Sequence, residues 1–173
     1  MNFRTTGVFK NKKGYHSVGV FGYASRGIPG VEIIGYGKNV KLMREKFIFL
    51  SRQRALAIPL KRYVLCIEQH EQLILSSLSE VDESISWLEL PLLLIFWSLA
   101  GVIQMGRLDD CILGGKVSIA GEVLTLSCEE LTAVATFSPH QKCITIPKRS
   151  DLYYVLPLPE ILGEELMIHC RLF

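Results

Sequence analysis

The side chains whose types and spacing most suggest binding chemistry are basic residues concentrated in the segment 38–62. Eight lysines or arginines stand there against one acid, Glu45. They are Lys38, Lys41, Arg44, Lys46, Arg52, Arg54, Lys61 and Arg62. Clustered Lys and Arg bind phosphates and carboxylates, so this segment is a candidate surface for a nucleic-acid backbone or a protein partner. At about 100° per helical residue these side chains point in several directions, which favours a solvated face around an apolar stripe over a binding surface.

Other patterns that would indicate catalysis or metal binding are missing from the sequence. Gly114-Gly115-Lys116 lacks the upstream glycine and the following hydroxyl of a phosphate-binding P-loop, which argues against ATP hydrolysis. His140 and Cys143 straddle a predicted turn, and His169 and Cys170 are simply adjacent, so neither pair has metal-ligand spacing. Acidic residues such as Asp109 and Asp110 are typical of solvated loops. We therefore predict neither a metal nor a cofactor.

The first half of the chain predicts two strands, a helix and a third strand. Residues 15–36 hold two apolar runs around the turn-forming SRGIPG, which predicts a hairpin. The stretch 38–57 contains neither Gly nor Pro and predicts a helix, with Asn39 as its cap and Pro59 as its stop. Its apolar face comprises Val40, Met43, Phe47 and Leu50. Residues 61–68 are rich in apolar and β-branched side chains and predict a strand.

The second half predicts shorter elements. The serine-rich segment 69–86 is predicted to be a long connection with room for one helical turn, followed by a helix over 91–104. Two short strands are predicted within 113–126, then a helix over 128–137 and a strand over 143–147. The remaining residues predict a strand-like run and a tail. Taken together, the elements predict an α+β fold.

The bulk composition is that of one packed globular domain. The 173 residues suit a single domain over 1–173, and 49% of them are hydrophobic. The net charge of +2 is too small to imply nucleic-acid binding by itself. Five cysteines without a C-x-x-C pair are typical of a reducing compartment, and residues 1–16 lack the apolar core of a secretory signal. We expect a cytoplasmic protein whose cysteines are mostly core residues.

The most apolar segment, 90–103, is too short to span a bilayer. As a helix its 14 residues rise about 21 Å at about 1.5 Å each, whereas the hydrocarbon core is about 30 Å thick. Glu89 and Gln104 bound the segment on either side. It therefore predicts a buried core helix and no membrane association.

Three segments resemble the N-terminal domain of the magnesium-chelatase-like competence proteins, the ComM family. SRGIPGVEIIGYGKNVKLMREK, residues 25–46, is similar to the family's glycine-proline turn, strand and basic helix start, and the spacing continues without a gap to Lys61-Arg62. LELPLLLIFWSLAG, residues 88–101, resembles its D-L-P-I-A-I helix start, with Glu89 in place of the aspartate. LDDCILGGKVSIAGEVLTL, residues 108–126, resembles a third family segment, with Lys116 in place of glutamate.

The resemblance covers about residues 3–150, so 151–173 would be a C-terminal extension of the same domain. It implies a Lon-protease-like fold, an α+β domain of the ribosomal-protein-like βαβ type with an unusual left-handed crossover. The same fold is found in the proteolytic domain of Lon and in the C-terminal domain of the recombination protein RadA.

In the active proteases of this fold, a serine in a D-G-P-S-A-G helix start is the nucleophile and a lysine is its base. Leu92 stands at the serine position, directly after Pro91, and the lysine position falls near Glu130. The resemblance thus implies a domain without the Ser-Lys dyad.

The leading interpretation is a non-catalytic interaction or assembly module, linked to DNA uptake or recombination. Its partner would be a protein, such as a ring ATPase, or further copies of the chain. The first alternative is a nucleic-acid backbone-binding module that uses the segment 38–62. The second is a Lon-type serine peptidase with a displaced dyad, for which Ser98 is the nearest nucleophile.

We expect the purified chain to cleave neither casein nor fluorogenic peptides and to release no phosphate from ATP. Leu92 offers no nucleophilic atom, and a carboxylate at position 130 does not supply one. Fluorescence and phosphate-release assays, with an active Lon protease as positive control, measure both activities. Peptide turnover that co-purifies with the chain and disappears in Ser98→Ala would show the displaced nucleophile and contradict the prediction.

Overall fold

The fold is organised around a mixed six-stranded β-sheet, seen in a computed structural model that describes residues 1–35, 37–75, 77–103, 109–134 and 142–143. The strands are β1 (Asn2–Asn11), β2 (Gly14–Ser25), β3 (Gly30–Ile34), β4 (Arg62–Ile67), β5 (Cys111–Leu113), β6 (Gly115–Val117), β7 (Val123–Thr125) and β8 (Lys142–Cys143). The helices are α1 (Asn39–Gln53), α2 (Glu71–Ile74), α3 (Leu78–Ser86), α4 (Glu89–Leu99) and α5 (Cys128–Thr132). The sheet order is β3-β4-β2-β1-β5-β8, and β6 and β7 form a separate antiparallel pair. The predicted α+β class is confirmed.

The predicted hairpin over residues 15–36 is wrong. β2 and β3 both pair with β4, which lies between them, antiparallel to β2 and parallel to β3. The hairpin instead joins β1 to β2 in a continuous ladder from Asn2–Tyr23 to Asn11–Gly14. Its turn is closed by Gly14 at φ 123, a conformation that favours glycine. The SRGIPG turn therefore links two strands that are separated by a third, which the apolar pattern of each strand alone does not reveal.

The predicted helix over 38–57 is confirmed as α1, and Met43, Phe47 and Leu50 are buried as expected. The predicted cap is wrong: the side chain of Asn39 does not cap the helix. The carboxylate of Asp82, on α3, accepts hydrogen bonds from the amides of Lys38 (2.9 Å) and Asn39 (3.2 Å) instead. The carboxylate of a distant residue thus satisfies the first amides of α1, which local sequence does not show.

The segment 69–86 is mostly helical, contrary to the predicted connection. It forms α2 and α3, and the carboxylate of Glu80 accepts a hydrogen bond from the Ser77 amide (3.3 Å) at the start of α3. Ser77 and Glu80 have the S-x-x-E spacing of a capping box, which is a local signal for a helix start. The serine-rich composition obscured this signal.

The predicted core helix over 91–104 is confirmed as α4, although it begins at Glu89 and ends at Leu99. All 11 of its residues are buried, and it packs against β1, β2, β4 and β6. The indole nitrogen of Trp97 donates to Ser51 Oγ (2.9 Å), which joins α4 to α1. Within the described part of the chain, no helix is both long and apolar enough to cross a membrane.

The predicted strand pair within 113–126 is confirmed as β6 and β7, whereas the strand β5 before it was not predicted. The helix predicted over 128–137 begins at Cys128 as α5, and β8 includes the first residue of the strand predicted over 143–147. The predictions for residues 135–141 and 144–173 lie outside the described residues.

Three of the five cysteines are buried in the core as predicted, namely Cys66, Cys111 and Cys143. Burial raises the pKa of the Cys66 and Cys143 thiols. Cys128, at the start of α5, is half-buried and so less enclosed than these three. Cys170 lies outside the described residues.

Replacing Leu92 by alanine should lower the free energy of unfolding by about 2–5 kcal/mol, because it leaves a cavity at a position with 0% exposure. Leu42→Ala is the matched control, since Leu42 is also a helical leucine but is 64% exposed, and its effect should stay within about 0.5 kcal/mol. Urea denaturation followed by circular dichroism measures both values. Equal losses in the two variants would contradict the packing described for α4.

Candidate functional site

The eight basic residues of the segment 38–62 divide into two groups. Four are engaged within the fold: Arg44 pairs with Glu45, Arg62 pairs with Glu32, Arg54 donates to the Ala120 carbonyl, and Lys46 is bound in the interior. The other four are Lys38, Lys41, Arg52 and Lys61. They are exposed, and their side chains make no ion pair or hydrogen bond with any described residue. Only half of the predicted cations therefore remain available to a ligand.

Lys46 is a structural residue, although its charge placed it among the candidate binding residues. Its ammonium donates to Glu89 Oε1 (2.6 Å) and to the Val117 carbonyl (2.8 Å). The second oxygen of Glu89 accepts from the Val117 amide (2.8 Å). The side chains of Lys46 and Glu89 are only 17% and 10% exposed. This buried network joins α1, the start of α4 and β6.

The position that the resemblance assigns to a nucleophile is inside the core. Leu92 is 0% exposed, and every other residue of α4 is buried with it. Ser98, the nearest alternative nucleophile, is 2% exposed, and its hydroxyl donates to the Leu94 carbonyl (2.7 Å). A substrate in solution has no access to either side chain.

The position that the resemblance assigns to a base has a capping role. Glu130 accepts hydrogen bonds from the Ser127 amide (2.7 Å) and from the Tyr15 hydroxyl (2.7 Å), while its own amide donates to Ser127 Oγ (3.2 Å). Burial raises the pKa of the Glu130 carboxyl, but the hydrogen bonds from Ser127 and Tyr15 outweigh it and hold that pKa below its ordinary value. Glu130 is therefore an ionised cap of α5, and its acceptor atoms are already used.

Metal-binding side chains do not converge in the described ranges. No group of three or more His, Cys, Asp or Glu residues there is placed to hold a metal ion. His16 and His70 contact each other, with ring centroids 5.6 Å apart, but His16 Nε2 lies 3.0 Å from Asn11 Oδ1, and His70 Nδ1 accepts from the Gln72 amide. Burial is the main cause that lowers the pKa of both imidazoles. These rings have local structural contacts.

The strongest candidate for a functional site is a cleft of about 330 Å³ between α1, the start of β3 and the α1–β4 connection, residues 54–61. We call it the α1 cleft. Its apolar walls come from Val31, Ile48, Leu56, Ile58, Tyr63 and Phe96. Arg52 and Lys61 line it as well and supply its positive charge. The structure thus brings two of the predicted basic residues to one opening, while Lys38 and Lys41 lie at the other end of α1.

A second hollow of about 480 Å³ adjoins the α1 cleft and shares Leu60 and Lys61 with it. Arg26 lines this hollow and, like Lys61, makes no ion pair with a described residue. Leu60 and Ile28, both in loops at this end of the sheet, are 86% and 88% exposed. The sequence analysis does not identify Arg26, Ile28 and Leu60 as candidates. They lie in segments around Pro29 and Pro59 whose pattern predicts only turns between elements.

The wall formed by the α1–β4 connection is fixed by hydrogen bonds. The Tyr63 hydroxyl and the Lys61 amide both donate to the Pro59 carbonyl, at 2.8 and 2.9 Å. The Lys61 carbonyl in turn accepts from the Gly30 amide (3.0 Å). The backbone of Lys61 is therefore held at the start of β3, and the residue lines the α1 cleft together with the apolar walls.

No model of a known protein family matches this chain, and no curated protein matches it either. The resemblance to the competence proteins therefore stays a prediction from sequence motifs.

The substitution Glu89→Ala should lower the free energy of unfolding by about 3–5 kcal/mol, because it leaves the Lys46 ammonium buried without its partner. A double-mutant cycle with Lys46→Met should show strong coupling, since the double variant removes both charges together.

The control is the exposed pair Arg62–Glu32, whose cycle should give about 0.2–1 kcal/mol. Urea denaturation of the four variants in each cycle provides the coupling free energies. If the Lys46–Glu89 coupling is no larger than that of the exposed pair, the network does not hold the three elements together.

Proposed function

We propose that this chain is a non-catalytic interaction or assembly module. The observation that carries the proposal is the burial of Leu92 in a helix whose residues are all enclosed by the core. Nucleophilic catalysis needs a side chain with a reactive atom that reaches the substrate, together with a base beside it. Leu92 and Glu130 supply neither, and the hydroxyl of Ser98 is bound inside the same helix.

We further propose that the chain is a relative of the competence-protein N-terminal domain with a Lon-protease-like fold. β3, α1 and β4 form a unit of two adjacent parallel strands joined by a helix, within the segment that carries the first motif. We propose that the connection through α1 is the left-handed crossover of that fold. Glu89, at the family's aspartate position, is buried and hydrogen-bonded to the Val117 amide.

Two glycines of the third motif, Gly115 and Gly121, occupy positions where a side chain would be unfavourable. A Cβ at Gly115 would lie 3.0 Å from the Leu124 carbonyl oxygen and 3.0 Å from the side chain of Leu90. Gly121 closes the β6–β7 turn at φ 84, which favours glycine. Lys116 departs from the family's glutamate, and its ammonium lies 4.6 Å from the centre of the Trp87 ring.

The partner in this proposal is a protein, either a ring ATPase or further copies of this chain, in the context of DNA uptake or recombination. Two features support a protein partner: the α1 cleft, and the position of β3 at an end of the described sheet, where an outer edge carries backbone groups able to pair. A cytoplasmic location is part of the proposal, and the scattered cysteines without a C-x-x-C pair favour it.

Nucleic-acid backbone binding is the alternative, and the four exposed cations of α1 and its connection favour it. We expect single-stranded and duplex oligonucleotides to bind no more tightly than the generic range of about 10⁻⁴ to 10⁻⁶ M, because the engaged side chains leave few phosphate contacts. Fluorescence anisotropy at low salt, with Lys61→Glu plus Arg62→Glu as the variant, measures this.

A steep loss of affinity with salt that the double charge reversal abolishes would establish nucleic-acid binding.

The assembly proposal is tested by light scattering, which measures the mass of the chain at micromolar concentration, alone and with a purified ring ATPase. A chain that stays monomeric and forms no complex would contradict the assembly module.

A further inference from the structure

We propose that the α1 cleft binds an acidic segment of a protein partner that carries a large apolar side chain. This inference rests on the proposed interaction function and names the chemistry of the partner. It draws on three features of the described residues: the concave apolar walls, the uncompensated cations that line the cleft, and the exposed aliphatic side chains beside it.

The apolar walls make the cleft suitable for one large side chain. A volume of about 330 Å³ lies at the lower end of the roughly 300–1,000 Å³ of ligand pockets. Its walls are built from two helices, two strands and the α1–β4 connection, so the shape is set by the fold. Leu60 and Ile28 add exposed apolar surface next to the opening. Single exposed apolar side chains are common on protein surfaces, whereas two of them beside an apolar cleft indicate an interaction surface.

The charges of the cleft select an acidic partner. Arg52 and Lys61 line it, and Arg26 lies across the adjoining hollow. None of the three pairs with an acid in the described residues, and the nearby carboxylate of Glu32 is already taken by Arg62 (2.6 Å). A carboxylate brought between these cations gains charge-assisted hydrogen bonds, while a basic segment is repelled.

A protein segment fits these features better than a lipid surface or a nucleic acid. A flat headgroup layer contacts protruding loops but does not fill a concave cleft, and a phosphate backbone has no apolar group for the half-buried walls Ile48 and Ile58. A peptide presents both kinds of group at once, as an apolar anchor flanked by carboxylates.

The test is selection from a phage-displayed random library of peptides about 12 residues long on the full chain. We expect enriched sequences to combine Asp or Glu with one large apolar residue. A synthetic copy of the best peptide should bind Arg52→Glu plus Lys61→Glu roughly tenfold or more weakly by fluorescence polarisation.

The matched control is Lys38→Glu plus Lys41→Glu, which makes the same charge change on exposed residues away from the cleft and should leave the affinity unchanged. Replacing the apolar residue of the peptide by serine should also abolish binding, without altering the protein.

Peptides without acidic residues, peptides that bind the two charge reversals equally, or no enrichment would overturn the proposal. So would binding to vesicles of phosphatidylcholine and phosphatidylglycerol that depends on Arg52 and Lys61, since it would assign the cleft to lipid.

If Arg52→Glu plus Lys61→Glu still self-assembles or binds a ring ATPase with wild-type affinity, this inference fails while the proposed interaction function stands. If neither variant nor wild type assembles but the acidic peptide binds the cleft, the cleft assignment stands without the assembly role.

Discussion

The buried ion pair of Lys46 and Glu89 is the interaction on which the rest of this structure depends. Two charges that are removed from water destabilise a fold unless their hydrogen-bonding capacity is filled. Here the Val117 backbone completes the network by donating to Glu89 and accepting from Lys46. The pair therefore determines how α1 lies against β6 and the start of α4, and with it the position of Ile48 and Arg52 later in α1.

The packing of α4 explains why position 92 has an apolar residue. All sides of this helix are in contact with other elements, and Trp97 is bonded to Ser51 of α1 at its far end. A polar side chain at position 92 would lose its hydration without gaining a ligand. The apolar α4 favours a stable core and excludes a solvent-facing catalytic site on the same helix.

The α1 cleft arises from the way α1 is connected to β4. The helix ends at Gln53, and the backbone then passes through Ala55 at φ 51 before it extends toward Pro59. This path separates residues 54–61 from α1 and leaves a concave space above Tyr63 and Phe96. Arg52 and Lys61 stand nine positions apart in sequence and line the same opening only because the connection turns back. Shape and charge at the site therefore come from one irregular segment.

The elements with local signals could be predicted from the residues alone. The three-residue and four-residue spacing of Met43, Phe47 and Leu50 specified the buried face of α1, and the continuous apolar run after Glu89 specified α4. These signals are reliable because periodicity follows from the geometry of a single element. The basic composition of the segment 38–62 likewise pointed to Arg52 and Lys61, although among six other cations.

Which elements pack against each other could be seen only in the folded chain. It paired β2 with β1 and β4, supplied Asp82 as the cap of α1, and divided the basic residues between the interior, surface ion pairs and the cleft. Strand partners and ion pairs join residues far apart in sequence, and the same local pattern is compatible with several of them. The environment of each charged side chain depends on its neighbours in the fold. Lys46 pairs with the buried carboxylate of Glu89, whereas Lys61 lines an apolar cleft that is open to solvent.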